Sequence, residues 1–433
     1  MTERRPPSPV DDDRALPRSQ GLPDPTASRG RRETIGPVVR ARPEAAWLVT
    51  GAALRDAIAT SGDATTGWMM LDGLLDIQRM RQYFDVAVRL QQTVDAARRD
   101  VGFLAAARRG LFPLPTDPGP AAPEDVFPAP EPLDVPSLQG RRLGLVATGG
   151  SGALASLVGV ARALEEAQLR CSVLSLCSGS ALFGLPLAAG LSAEETARFA
   201  QQLDPSDYVR PAWHALLSLP ISAGRGFSGV LDGQRVEAAY RRRLGDRRLG
   251  DLEIPAYVVV WNCEHNRLDY LGPATSPDLP VATAVRLAVT LPLMIEAAPL
   301  GDGYWCDGGI VDIFPIRPVL DIEPPCDTVI GINGFYRAGF AGDDITGWQH
   351  RPLSILHLAG QTRTMQHLHV ARLNLERLRE ETDLLLLEPV PYREAAGVGL
   401  YRHFLDTSRW PTFMALGRTS ARAALVEFGA VAA

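Results

Sequence analysis

The stretch that most limits how this chain folds runs from Cys171 to Gly190 and reads Cys-Ser-Val-Leu-Ser-Leu-Cys-Ser-Gly-Ser-Ala-Leu-Phe-Gly-Leu-Pro-Leu-Ala-Ala-Gly. An apolar run, Cys171 to Leu176, meets a knot of small residues, Cys177 to Ala181, and continues as an apolar run of helical character. This is the pattern of a strand that turns sharply into a helix. A serine in such a turn is pushed out of the backbone, bulky neighbours would block its oxygen, and the starting helix directs N–H groups at developing negative charge. The pattern predicts a nucleophile elbow with a serine at its tip.

The surrounding pattern sets the fold class. Leu143 to Ala147 is a short apolar strand, followed by the loop Thr148-Gly-Gly-Ser-Gly152 and a helix from Leu154 to Ala167. Strand, glycine loop, helix, strand, elbow and helix make a βαβα start, which predicts an α/β/α three-layer domain around a mostly parallel sheet. Its site belongs at the carboxyl ends of the strands. Further strands are predicted at 254–261, around 304–307, at 329–333 and at 383–387, with helices at 283–291 and 355–378 and a mostly helical stretch between 193 and 249. Ahead of this main domain, 141–433, the composition predicts a disordered tail at 1–43, a helical module at 44–112 and a proline-rich linker at 113–140. The Met69 to Leu75 cluster of the module reads as a packed helix, with contact to a membrane or a cap over the active site as the alternatives, and residues 45–111 have a partner or lid role open to them.

Composition excludes several functions. All 44 basic residues are arginine against 50 acids, a formal charge of -6, so no basic excess exists to drive nucleic-acid binding. The 5 cysteines are widely spaced and mostly set in apolar runs, which predicts buried free thiols in a reducing compartment and, without a C-x-x-C pair, no metal site. The first residues show no apolar signal segment and no stretch approaches the ~18 apolar residues of a spanning helix. The expected location is cytoplasmic, peripheral to a lipid surface at most.

Three pieces in order resemble the patatin-like phospholipases. They are Leu145 to Glu166 with its glycine-rich loop, the elbow with a serine twelve residues ahead of Gly190, and Ala284 to Leu293 followed by Asp307-Gly-Gly. The resemblance covers roughly residues 141 to 335. It implies a serine acyl hydrolase without cofactor, acting on an acyl lipid or membrane-surface substrate through a Ser178/Asp307 dyad, with backbone N–H groups of Gly149, Gly150, Ser151 and Gly152 as the oxyanion hole. The chain departs from the family in two places. Its loop lacks the usual arginine, and Leu176 and Ser180 stand where the elbow normally has glycines.

The chemistry of the dyad can be stated from the residues. A serine hydroxyl is a weak nucleophile at neutral pH and needs a base within hydrogen-bond reach. Asp307, ahead of two glycines, can present a carboxylate there, and a desolvated site would raise its basicity. Its bland reading is a turn carboxylate. Ser180 is the alternative nucleophile, disfavoured because Leu182 would crowd its turn, and Cys177 is a poor third because an apolar strand end does not stabilise a thiolate. Arg286 reads either as an orienting cation or as an ordinary ion-paired helix residue. His367 and His369, two apart on a helix, point to different faces. The other function classes left open are a catalytically impaired binding or scaffold protein, a polyester or thioester hydrolase with the same dyad, and a nucleotide-binding protein using the loop at Gly149 to Gly152.

Overall fold

The computed structural model describes residues 126–203, 210–212, 227–343, 346–350, 354–395, 403–404 and 406–431. Its strands are β1 (Leu143–Ala147), β2 (Cys171–Leu176), β3 (Arg210–Pro211), β4 (Gly229–Asp232), β5 (Ala256–Asn262), β6 (Arg267–Leu271), β7 (Leu293–Ile295), β8 (Ala298–Leu300), β9 (Gly303–Asp307), β10 (Thr328–Ile332) and β11 (Asp383–Leu387). The longer helices are α1 (Ser156–Glu166), α2 (Gly179–Ala188), α3 (Ala193–Gln202), α4 (Gln234–Leu244), α5 (Val281–Val289), α6 (Ser354–Glu381) and α7 (Trp410–Val431). The main sheet runs β11-β10-β1-β2-β5-β9-β8, with β6 on the other edge of β5. From β11 to β5 the strands are parallel, and β6, β8 and β9 are antiparallel. A second, small sheet joins β3, β4 and β7.

Alternation along the central strands divides two apolar cores. Leu143, Leu145, Leu174, Leu176, Val258, Val260, Ile330 and Ile332 face the layer that contains α1 to α5 and α7. Val146, Val173, Val259 and Val329 face the other layer, with Phe314, Val319 and the α6 residues Leu368, Ala371, Leu375 and Leu378. Strands covered on both faces need apolar residues at nearly every position, which is why β1 and, after Thr328, β10 read as apolar runs. The three-layer α/β/α architecture follows. A charged clamp joins two helices of the first layer. The buried carboxylate of Glu166 on α1 accepts from Arg418 Nε at 3.0 Å and Arg422 at 2.6 Å, both on α7. Burial raises its pKa, but these two guanidinium groups outweigh that and hold the carboxyl below its ordinary range.

One pairing positions the site. β2 lies along β5 only as far as Leu176 opposite Val258. On the same edge β9 enters from the opposite direction and ends with Asp307 opposite Val260. The carboxyl ends of β2 and β9 therefore meet head to head.

Several sequence expectations change. The stretch between 193 and 249 is not purely helical: β3 and β4 interrupt it, and residues 213–226 lie outside the described residues. The hairpins that make the sheet mixed, β5–β6 and β8–β9, were not legible because their strands are short and partly polar. The tail, the helical module and its Met69 to Leu75 cluster lie outside the described residues. Of the proline-rich stretch, residues 126–140 are described, and Phe127, Val135 and Leu138 are buried in the first core. Leu133 N–H donates to Glu166 O at 3.0 Å, so this part of the stretch docks on the domain instead of spanning open solvent.

Candidate active site

Ser178 sits at the turn between β2 and α2 with φ 50° and ψ -122°, a strained conformation for a residue with a side chain. Its neighbour holds that strain in place. Ser180 Oγ accepts from Cys177 N–H at 2.7 Å and donates to Cys177 O at 2.7 Å, and Ser180 is fully buried. The hydroxyl of Ser180 is therefore spent on closing the turn, whereas Ser178 is only half-buried. The leucine in place of an elbow glycine is also accounted for. Leu176 points away from the turn onto Gly184, where an added Cβ would lie 2.6 Å from Leu176 Cδ2.

Asp307 meets Ser178 from the end of β9. Its carboxyl accepts from Gly309 N–H at 2.8 Å, and the Ser178 side chain lies close enough to it to favour its ionised form. Asp307 is 1% exposed, and this burial pushes its pKa from an ordinary 3.8 to about 7, the neighbouring Ser178 side chain and Gly309 N–H only partly offsetting it. Both following glycines are required by close approach. A Cβ on Gly308 would lie 2.8 Å from Val260 N, and one on Gly309 would lie 2.5 Å from Cys177 Sγ and 3.0 Å from Asp307 Oδ1.

The glycine-rich loop lies over this pair. A Cβ on Gly149 would come within 3.1 Å of Ser178 Cβ, and one on Gly179 within 2.7 Å of Ser151 N. Gly150 takes φ 142° and Ser151 φ 55°, and from Ser151 the chain enters a short 3-10 helix that leads into α1. The N–H groups of Gly150, Ser151 and Gly152 meet no acceptor among the described residues, as expected at a helix start. Gly149 N–H, in contrast, faces the sulfur of Cys177. Gly152 is needed for packing as well, since a Cβ there would lie 2.2 Å from Trp410 Nε1.

The remaining candidates separate cleanly. Cys177 is buried, and burial first, then the charges of Asp307 and Asp312, push its thiol pKa well up, so it stays protonated. Arg286 is not an orienting cation for Asp307. It pairs with Glu237 at 3.2 Å, both side chains largely buried. His367 Nδ1 meets Tyr336 Oη at 2.7 Å while His369 is exposed, so the two do point apart.

Sequence reasoning missed two supports of the site. Asp312, 5% exposed, accepts from Tyr270 Oη at 2.7 Å and Asn374 Nδ2 at 2.9 Å, and Asn374 also donates to Phe314 O, which ties the segment after Asp307 to β6 and α6. No local signal marks Asp312, because its partners come from distant elements. Asn333 is the second. Its Oδ1 accepts from Phe335 and Tyr336 N–H, and the next residue, Gly334, donates to Thr148 Oγ1 at 2.9 Å beside the glycine loop. The Asn-Gly dipeptide was a turn signal that pointed to it.

Comparison with known proteins bears on the family. Residues 145–320 match the family model described as patatin-like phospholipase. Over 208 residues the chain is 25% identical to uncharacterized NTE family proteins of Mycobacterium tuberculosis and Mycobacterium bovis, a match covering 48% of this chain and 54% of each relative. The chain thus spans about half the length of the curated relatives it matches. Among solved structures it is similar to VipD from Legionella pneumophila, with 14% identity, a TM-score of 0.36 and coverage of 66% of this chain and 67% of that one. It is also similar to human GIVD cytosolic phospholipase A2 in complex with methyl gamma-linolenyl fluorophosphonate, with 12% identity, a TM-score of 0.38 and coverage of 67% and 58%.

Proposed function

We propose that the patatin-like phospholipase domain of this chain, residues 145–320, works as a serine acyl hydrolase on lipid carboxyl esters, with Ser178 as nucleophile and Asp307 as its base. The observation that carries the reading is the approach of the Ser178 side chain to the fully buried Asp307 carboxyl where the ends of β2 and β9 meet. A carboxyl that ionises near 7 is matched to taking and returning a proton at neutral pH, which an exposed aspartate is too weak a base to do.

The reaction follows from the atoms. Ser178 Oγ attacks the ester carbonyl carbon while its proton passes to Asp307. The oxygen that gains negative charge meets the N–H groups of Gly150, Ser151 and Gly152, donors already oriented before the reaction begins. The tetrahedral intermediate collapses, the C–O bond to the alcohol breaks, and Asp307 returns the proton to the departing alkoxide. A water molecule then attacks the acyl-serine, Asp307 accepts its proton, and the free acid leaves as the proton returns to Ser178 Oγ. The loop's missing arginine removes a cation from this scheme but none of its N–H donors. The acyl-lipid substrate rests on the family, and a polyester or thioester would follow the same steps.

Labelling with a fluorophosphonate probe, followed by peptide mapping, tests the reading. An adduct on Ser178 that disappears in Ser178→Ala and forms more slowly in Asp307→Asn is expected, with Ser180→Ala still labelled if folded. Folded protein that takes no label would refute the hydrolase and leave a binding or scaffold role for the domain.

A further inference from the structure

Two of the cysteines meet at the strand that carries Asp307. In the register of β5 with β9, Cys306 stands opposite Trp261 and Trp305 opposite Asn262, and Cys263 N–H donates to Tyr304 O at 2.9 Å, which carries the pairing one residue beyond β5. Cys263 lies two residues past Trp261, so its side chain leaves on the same face as that of Cys306. The two are diagonal neighbours, at a backbone spacing of about 7 to 8 Å across which side chains touch. The Cys306 thiol lies close enough to Cys263 to favour its thiolate. Both thiols are free.

The two differ in access. Cys263 opens the turn at residues 263–266 and is half-buried, whereas Cys306 is buried, as are Cys171, Cys177 and Cys326. Burial raises both thiol pKa values, that of Cys306 well above its ordinary range, where the charge of Cys263 adds to the rise. Cys263 is therefore the thiol that ionises first and that a dissolved reagent reaches. Cys306 stays protonated behind it.

We infer that Cys263 and Cys306 form a dithiol that an oxidised low-molecular-weight thiol converts to a disulfide, and that this bridge draws Asp307 out of line with Ser178. The Cys263 thiolate attacks one sulfur of the oxidant R–S–S–R, giving Cys263–S–S–R and releasing RS−. Cys306 then attacks Cys263 Sγ and displaces the second RS−, and the two thiol protons end on the released sulfurs. Two protein thiols are oxidised and one small disulfide is reduced to two RSH. A disulfide holds its Cα atoms at about 5.5 to 6 Å, so closing the bridge pulls the diagonal pair together by about 1 to 2 Å. β6 holds β5 from Val258 to Asn262, but β9 grips β5 only from Asn262 opposite Trp305 to Val260 opposite Asp307. The end of β9 therefore gives way, and Asp307, next in the chain to Cys306, moves with it. A base displaced by about 1 Å loses on the order of a hundredfold in rate. That consequence rests on the hydrolase reading, but the bridge itself does not.

The test incubates the full chain with oxidised glutathione and maps disulfides by mass spectrometry of unreduced peptides. A peptide linking Cys263 to Cys306 is expected in the wild type, and Cys263 carrying glutathione in Cys306→Ser. Turnover of a soluble ester should fall at least about tenfold as the link forms and return with dithiothreitol. In Cys263→Ser it should stay constant through oxidation, with reduced turnover and melting temperature matching wild type. Cys263 and Cys306 left unlinked overturn the inference, as does a linked protein that keeps its turnover, or a loss that persists in Cys263→Ser. A reduced wild type that turns over no ester refutes the hydrolase, while the linked peptide still upholds the bridge and its absence overturns it.

Discussion

Replacing Asp307 with Asn is predicted to stabilise the fold at neutral and alkaline pH while it slows the chemistry. The carboxyl ionises near 7 in the folded protein and ordinarily near 3.8. Each pH unit between these values is worth about 1.4 kcal/mol, so a folded state that buries the carboxylate gives up as much as about 4 kcal/mol above pH 7. The sign follows from proton counting. Below the ordinary value both folded and unfolded chains hold the proton, and the cost is absent. Between the two values the folded protein keeps a proton that the unfolded chain has lost, so stability falls as pH rises. Above the folded value both are ionised and the cost stays at its maximum. Asparagine is neutral throughout and keeps an oxygen that can accept from Gly309 N–H. Thermal melts of wild type and Asp307→Asn at about pH 4, 6 and 8 should therefore coincide at the lowest pH. They should separate as pH rises, with Asn higher by up to about 8 °C at a few degrees per kcal/mol. A gap that stays constant with pH, or that favours wild type at high pH, would refute the claim that Asp307 is held against a burial cost.

Three other outcomes follow from the same geometry. Ester turnover should fall roughly tenfold per pH unit below about 7, because protonated Asp307 cannot accept the proton of Ser178; a profile of kcat/KM against pH checks this. Gly179→Ala should abolish fluorophosphonate labelling in folded protein, since its Cβ would lie 2.5 to 2.7 Å from backbone atoms of Ser151 and can be accommodated only by moving the oxyanion loop. Glu166→Ala should cost about 3 kcal/mol by leaving the α7 arginines without their buried partner, measurable by denaturant unfolding, with the turnover of the remaining folded protein unchanged.

Much of the fold was legible because its signals are local. The apolar runs at β1, β2, β5, β10 and β11, the glycine loop, and the small residues from Cys177 to Ala181 each follow from what neighbouring residues can do together. The same holds for the long α6 and for the Asp-Gly-Gly turn. The antiparallel additions escaped because β6 and β8 have no lasting alternation, and their place is set by the strand they pair with. Arg286 read two ways in sequence, and only the arrival of Glu237 from α4 decides between them.

The sequence by itself determined that a serine stands at a strained strand-to-helix turn, that glycines precede and follow it, and that Asp307 ends a strand. These depend on steric rules that act over a few residues. The tertiary structure alone decided that β2 and β9 abut on one edge of β5, which brings Ser178 and Asp307, far apart in the chain, beside each other. It also decided that Ser180 is consumed by the turn, that Leu176 finds room against Gly184, and that Asp307 is buried deeply enough to ionise near 7. Burial and long-range pairing arise from the whole chain's packing, and no window of sequence contains them.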